Sequence, residues 1–95
     1  MSRFTVQLTR AAVKHLDAVP RLHRRRLAPD LRALADRATF WPAGIKRLKG
    51  SGFPLYRLRA GDYRVLFRID GALLTIMRVI NRKDLERTLR GLRRR

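Results

Sequence analysis

Three arginines set around one glycine are the residues of this chain best placed to do chemistry. In Tyr56-Arg57-Leu58-Arg59-Ala60-Gly61-Asp62-Tyr63-Arg64, apolar and basic residues alternate, the period of a strand with one buried and one wet face. Gly61 interrupts the alternation where a tight turn can take positive φ without a Cβ penalty. With Ala60-Gly61 as a two-residue loop, Arg59 faces Asp62, Leu58 faces Tyr63 and Arg57 faces Arg64. Opposed residues share a side of the sheet. Tyr56, Leu58, Tyr63 and Val65 then form a core patch, and Arg57, Arg59 and Arg64 gather on the other side with Asp62 as their only acid. Arginines opposed across a ladder repel, and nothing in the fold asks for them. Such a cluster is a candidate anion site.

The elements that must position this cluster begin with a second hairpin. Asp70-Gly71 lies between two apolar runs and is a strong hairpin signal. As a loop it pairs Phe67 with Leu74 and Val65 with Ile76, and it sets Arg78 on the core face opposite Tyr63. The result is a three-stranded antiparallel meander, Tyr56–Ala60, Asp62–Ile69 and Ala72–Ile80. Its apolar face must be covered by the rest of the chain.

Upstream, Phe4, Val6 and Leu8 alternate with polar residues, so residues 3–8 read as a strand. Thr9 is a candidate N-cap for a helix with Ala12, Leu16 and Val19 on one stripe, closed by Pro20. A second helical stripe runs through Leu27, Leu31, Leu34 and Ala38, with a break or kink expected at Pro29. The two helices form a hairpin over the meander, and Arg24-Arg25-Arg26 reads as its solvated surface. Residues 39–54 read as a connector carrying the basic run Ile45-Lys46-Arg47-Leu48-Lys49-Gly50, with Phe40 and Trp41 capping the core. After Asn81, a short helix carries Leu85, Leu89 and Leu92 on one stripe, and residues 90–95 read as a frayed end. The expected fold is a single α+β domain over residues 1–95: an N-terminal strand and helical hairpin packed on an antiparallel β-meander, with a short C-terminal helix.

Composition narrows the function. The chain has 95 residues and a net charge of +17, with 24 Lys and Arg against 7 Asp and Glu. Such a chain seeks polyanions. It has no cysteine, hence no disulfide framework and no thiolate metal site. His15 and His23 make no recognisable metal spacing. No apolar run is long enough for a membrane span, and no signal-peptide pattern stands at the start, so a cytoplasmic location is expected.

The strings Lys46-Arg47-Leu48-Lys49-Gly50, Tyr56 to Phe67 and Val79-Ile80-Asn81-Arg82-Lys83-Asp84 resemble the RelE/ParE toxin superfamily of bacterial toxin–antitoxin systems, closer to its RelE-like members. The resemblance covers essentially the whole chain. It implies a compact α+β protein held inactive by an antitoxin, an acidic protein partner whose extended segment wraps it. RelE-like members cut mRNA in the ribosomal A site without a cofactor or metal; ParE-like members share the fold and poison DNA gyrase. By position, Arg57 matches a basic strand residue of the RelE-like active site. Arg64 matches the arginine implied to contact the scissile phosphate, and Arg82 the one implied to stabilise the transition state. Lys46, Lys49, Arg59 and Lys83 are the accompanying substrate-binding candidates. Two departures stand out. Asn81 occupies a position where many relatives carry histidine, and Glu86 and Thr88 occupy positions where they carry tyrosine. An arginine stays charged near neutral pH and is a poor proton acceptor, which leaves Glu86, with Lys46, Lys49 and Lys83 as alternatives, for the acid and base. The functions implied are an mRNA endonuclease, a gyrase inhibitor, or an inactive module that binds RNA or antitoxin.

Overall fold

In the computed structural model, which describes residues 4–36, 44–50 and 52–93, the four expected strands are joined by one more into one five-stranded sheet. The elements in order are β1 (Thr5–Leu8), α1 (Arg10–Ala18), α2 (Arg21–Leu34), β2 (Ile45–Leu48), β3 (Leu55–Ala60), β4 (Tyr63–Asp70), β5 (Leu73–Asn81), a 3₁₀ turn (Arg82–Asp84) and α3 (Leu85–Arg93). The sheet order is β1-β5-β4-β3-β2. β1 runs parallel to β5, and the other neighbours are antiparallel. The expected α+β architecture is present, and the meander is its centre.

Both hairpin loops lie one residue beyond the expected positions. Ala60 pairs with Tyr63, Arg59 with Arg64 and Leu58 with Val65, which makes Gly61-Asp62 the loop. Asp70 pairs with Leu73, which makes Gly71-Ala72 the second loop instead of Asp70-Gly71. In each, glycine takes the first loop position with φ of +59 or +58, and the non-glycine residue after it keeps negative φ. That is the requirement of a II′-type connection. Moving a two-residue loop by one position shifts each pairing by two, so neighbours change but faces do not. Leu58, Val65, Phe67 and Ile76 are buried as expected, and Tyr63 is only half-buried.

Two other expectations give way, and of the break or kink expected at Pro29 the break is absent. α2 runs unbroken through Pro29; Pro29 and Arg25 are exposed, so water can serve the carbonyl that the proline leaves without a donor. The 45–48 run is strand β2, not connector. α3 continues to Arg93 with Leu92 only 3 % exposed, so the chain is not frayed from residue 90. Phe40, Trp41 and Ala38 lie outside the described residues.

The sheet has two cores. Leu27 and Leu34 of α2, Ala12 of α1 and Val19 just beyond it pack with Leu58, Val65, Phe67 and Leu74 on one face. On the other face Leu55 and Leu66 pack with Leu89 and Leu92 of α3, flanked by Leu48, Met77 and Leu85. The face that carries the arginines is therefore not wet throughout. α3 covers its apolar half and leaves the half nearest the β3–β4 turn open.

A one-residue bulge in β5 lets the strand serve both cores. Phe67 pairs with Ile76 and Leu66 with Arg78, so Met77 is the extra residue and Arg78 stands opposite Leu66, not Tyr63. Leu74 and Ile76 enter the first core before the bulge and Val79 enters it after, a change of parity that an unbroken strand forbids. The backbone groups freed there are satisfied by the start of the chain. Thr9 Oγ1 donates to the Met77 carbonyl at 2.8 Å and accepts from Ala12 N at 3.1 Å as the N-cap of α1. His15 Nδ1 accepts from Val79 N at 3.2 Å, so its proton sits on Nε2. Burial first, and then the Arg78 charge, hold the His15 pKa below 6.5. The neutral ring is thus the folded form. Its contribution to stability is fully present above the unfolded pKa and is lost as pH falls through the folded value. His15→Ala should cost about 1 kcal/mol at pH ~7.5, and the two proteins should converge as pH falls below 6.5. Denaturant midpoints across that range test this; a difference independent of pH would remove the histidine from the account.

Candidate functional site

The β3–β4 register decides where the arginines go. Arg59 and Arg64 are directly opposed, Arg57 opposes Leu66, and across the other edge of β3 Lys46 opposes Arg57. All four cations therefore share the α3 face. Arg64 is the centre: it is 8 % exposed, the one buried cation among the described residues. Its Nη1 donates to the carbonyls of Gly61 at 2.8 Å and Tyr63 at 2.9 Å, which clamps the guanidinium under the turn. Its pKa is lowered, first by burial and then by Arg59, Arg57 and Arg82, and Asp62 opposes the shift. Arg82 joins from the end of β5. Its backbone N donates to the Asp62 carbonyl at 2.8 Å, and its Nε lies 3.8 Å from Asp62 Oδ1. Both of those side chains are largely exposed, so that ion pair adds little stability. It aims Arg82 at the cluster.

Arg57 carries an unmet need. Its Nε is buried without a hydrogen-bond partner, a state that native structures seldom leave unexplained. Beside it a groove of about 500 Å³ runs between β2, β3 and α3, lined by Lys46, Lys49, Arg57, Glu86 and Arg93. The floor is closed by a close approach: Arg93 Nε donates to the Lys49 carbonyl at 3.1 Å, and Gly50, at φ +90, leaves room that a Cβ would take 3.1 Å from Arg93 Nε.

The candidates thus divide. Arg57, Arg59, Arg64 and Arg82 form one electrostatically coupled cluster, and Lys46, Lys49 and Glu86 join Arg57 in the adjoining groove. Lys83 stands apart; its backbone N donates to Asn81 Oδ1 at 3.1 Å, which gives Asn81 the work of capping the 3₁₀ turn. Sequence reasoning missed the pairing of Lys46 with Arg57, because β2 has no period-two signature, and it missed Arg93 altogether. Among the described residues no group of three or more His, Cys, Asp or Glu converges on a metal position, and no helix is long and apolar enough to cross a membrane.

What this arrangement can do is hold a multiply charged oxyanion among preorganised guanidiniums. Comparison with known proteins identifies the family. The model of the ParE toxin family of type II toxin–antitoxin systems matches residues 6–86. The chain belongs to that family, within the RelE/ParE superfamily, and is the toxin of a toxin–antitoxin system. Among solved structures it is similar to the RelBE2 toxin–antitoxin complex of Mycobacterium tuberculosis, with 30% identity over 88% of this chain and 97% of that one and a TM-score of 0.61. It is also similar to the RelE-RelB complex of Pyrococcus horikoshii, with 29% identity, 84% and 96% coverage and a TM-score of 0.66. The DinJ-YafQ complex of E. coli, at 15% identity, 87% and 98% coverage and a TM-score of 0.74, shares the fold. No curated protein sequence matches the chain.

Four clustered arginines oppose folding through mutual repulsion. Arg59 is exposed and faces Arg64. Arg59→Gln should therefore raise stability by a few tenths to about 1 kcal/mol at low ionic strength, and the gain should shrink as salt screens the cluster. Thermal melts at two salt concentrations check this; a loss of stability at low salt would mean that the cluster is internally balanced.

Proposed function

We propose that this toxin cuts mRNA on the ribosome by metal-free transesterification, with the arginine cluster as the phosphate site. The observation that carries the reading is the convergence of Arg57, Arg59, Arg64 and Arg82 around a partly buried Arg64, together with the unpartnered Arg57 Nε. In the reaction the 2′-oxygen attacks phosphorus, the bond to the 5′-oxygen breaks, and a 2′,3′-cyclic phosphate remains. Negative charge builds on the non-bridging oxygens of the pentacoordinate state. Arg57, Arg64 and Arg82 donate to those oxygens, in a site already organised. Lys46, Lys49, Arg59 and Lys83 carry neighbouring phosphates. Glu86, on α3 beside Lys46 and Arg57, takes the 2′-hydroxyl proton; a lysine of the groove returns one to the 5′-oxygen.

A second reading has its own support. The matching family model is that of ParE, and Asn81, Glu86 and Thr88 replace the histidine and tyrosine of the RelE-like pattern. Gyrase inhibition by the same surface is that alternative. In either case the partner in the cytoplasm is a cognate antitoxin, as in the RelE-RelB and DinJ-YafQ complexes. An acidic, extended segment of it covers the cluster and neutralises the +17 charge.

Inducible expression with mapping of mRNA 5′ ends, beside a DNA supercoiling assay, separates the readings. Cuts within translated codons that disappear in Arg57→Ala and Arg64→Ala support cleavage; blocked supercoiling with intact transcripts supports the alternative. In direct binding, each lost phosphate contact should reduce the salt slope on single-stranded RNA by about 0.7. An equal loss from Arg24→Ala would mean general charge, not a site.

A further inference from the structure

A second cavity lies on the opposite face of the same hairpin tip. It has a volume of about 220 Å³ and is lined by His23, Arg26, Leu27 and Asp30 of α2 and by Ala60 to Tyr63 of the turn. That is below the range of drug-sized pockets, about 300–1,000 Å³, and suits one flat ring system. Two rings already mark its wall: His23 and Tyr63 stand with centroids 5.7 Å apart and planes tilted by 54°, so a third ring can lie against either. Asp30 is half-buried in the wall, and among the described residues no hydrogen bond or ion pair engages its carboxylate. In a chain with 24 Lys and Arg against 7 Asp and Glu, a sheltered carboxylate without a cation is unexpected. Arg26, one helical turn away on the same wall, does not bridge to it. Asp30 therefore lines the cavity with its accepting capacity unused.

We propose that this cavity is a nucleobase pocket, selective for an unpaired guanine next to the phosphate held by the arginine cluster; the proposal rests on the RNA-cleavage reading above. Adjacent residues of a strand face opposite sides, so the strand that turns Arg64 towards the phosphate turns Tyr63 towards the cavity. Around Gly61 the tip is open: a Cβ built there would meet nothing within 4 Å. An RNA strand passing over the tip can leave its phosphate on one face and lay the neighbouring base on the other, against Tyr63 and His23. The carboxylate then selects the base. A carboxylate only accepts. Guanine alone among the four bases offers two adjacent donors on its Watson–Crick edge, N1–H and the N2 amino group, which match the two carboxylate oxygens in charge-assisted bonds. Adenine and cytosine place a ring-nitrogen acceptor beside their amino group, and uracil flanks its one N–H with carbonyl oxygens; each sets an acceptor against the carboxylate.

The test uses the full chain and 2′-O-methyl hexanucleotides, which cannot be cut because the attacking hydroxyl is blocked. Uridine hexamers carrying one central guanine, inosine, adenine or cytosine are compared by fluorescence anisotropy. The guanine probe should bind about tenfold more tightly than the adenine, cytosine or all-uridine probes, and inosine, which lacks the N2 amino group, should lose most of that advantage. Asp30→Asn should erase the preference with the salt slope and thermal midpoint unchanged; Tyr63→Leu should weaken all probes alike. Equal binding of the four bases, or a guanine preference that survives Asp30→Asn, overturns the pocket. If affinity then still depends on Arg57 and Arg64, the phosphate site stands without it. Absence of RNA binding altogether overturns the pocket, while the ribosome-dependent reading stands or falls on the transcript mapping.

Discussion

Arg59 opposite Arg64 is the constraint around which the molecule is built. A two-residue loop headed by Gly61 forces the pairing, and like charges at that spacing push the strands apart. The apolar residues next to them hold the strands together. Leu58 and Val65, the preceding pair in the ladder, are buried on the helical-hairpin side. Leu66, opposite Arg57, is sealed by α3 on the other. The second core therefore does more than cover a hydrophobic half-face. It keeps repelling cations at fixed distances from one another, which is what preorganisation means at an oxyanion site. The α3 groove adds a second carboxylate, Glu86, to the Asp62 that already stands beside Arg82.

Much of this was legible in the residues. Alternation in 56–60 and 63–69 reports which side chains share a face, and because alternation has period two, the faces survive an error of one in the loop position. The register itself was not legible: Ala60-Gly61 and Gly61-Asp62 both contain the glycine, and only the backbone φ shows which loop slot it fills. β2 escaped because an edge strand of four residues, with two exposed cations at its centre, carries no periodicity. The bulge at Met77 escaped for a related reason. Leu73 to Met77 is apolar at nearly every position, so a change of parity leaves no mark in the pattern.

The candidate site was legible in part for a different reason. Arg57, Arg59 and Arg64 come together through local pairing, which sequence spacing reports. Arg82 comes from 18 positions beyond Arg64, and its arrival depends on the bulge and on the Asp62 carbonyl. The union of Lys46 with Glu86 depends on α3 folding back over β2 and β3, a tertiary event without a local signature. Asp30 and His23 look like ordinary surface residues of a basic helix until the turn is laid beside them.

The parallel pairing of β1 with β5 carries a kinetic consequence. Gln7 reaches Thr75 across 68 positions, and Thr9 caps the bulge across the same span. A strand whose only sheet neighbour is made that much later must wait for it, and closing so long a loop before any reward slows folding. During synthesis the helical hairpin therefore emerges with its apolar stripe uncovered, and the guanidinium cluster stays incomplete until Arg82 follows β5. The interval is open to any chaperoning chain that can cover the stripe first.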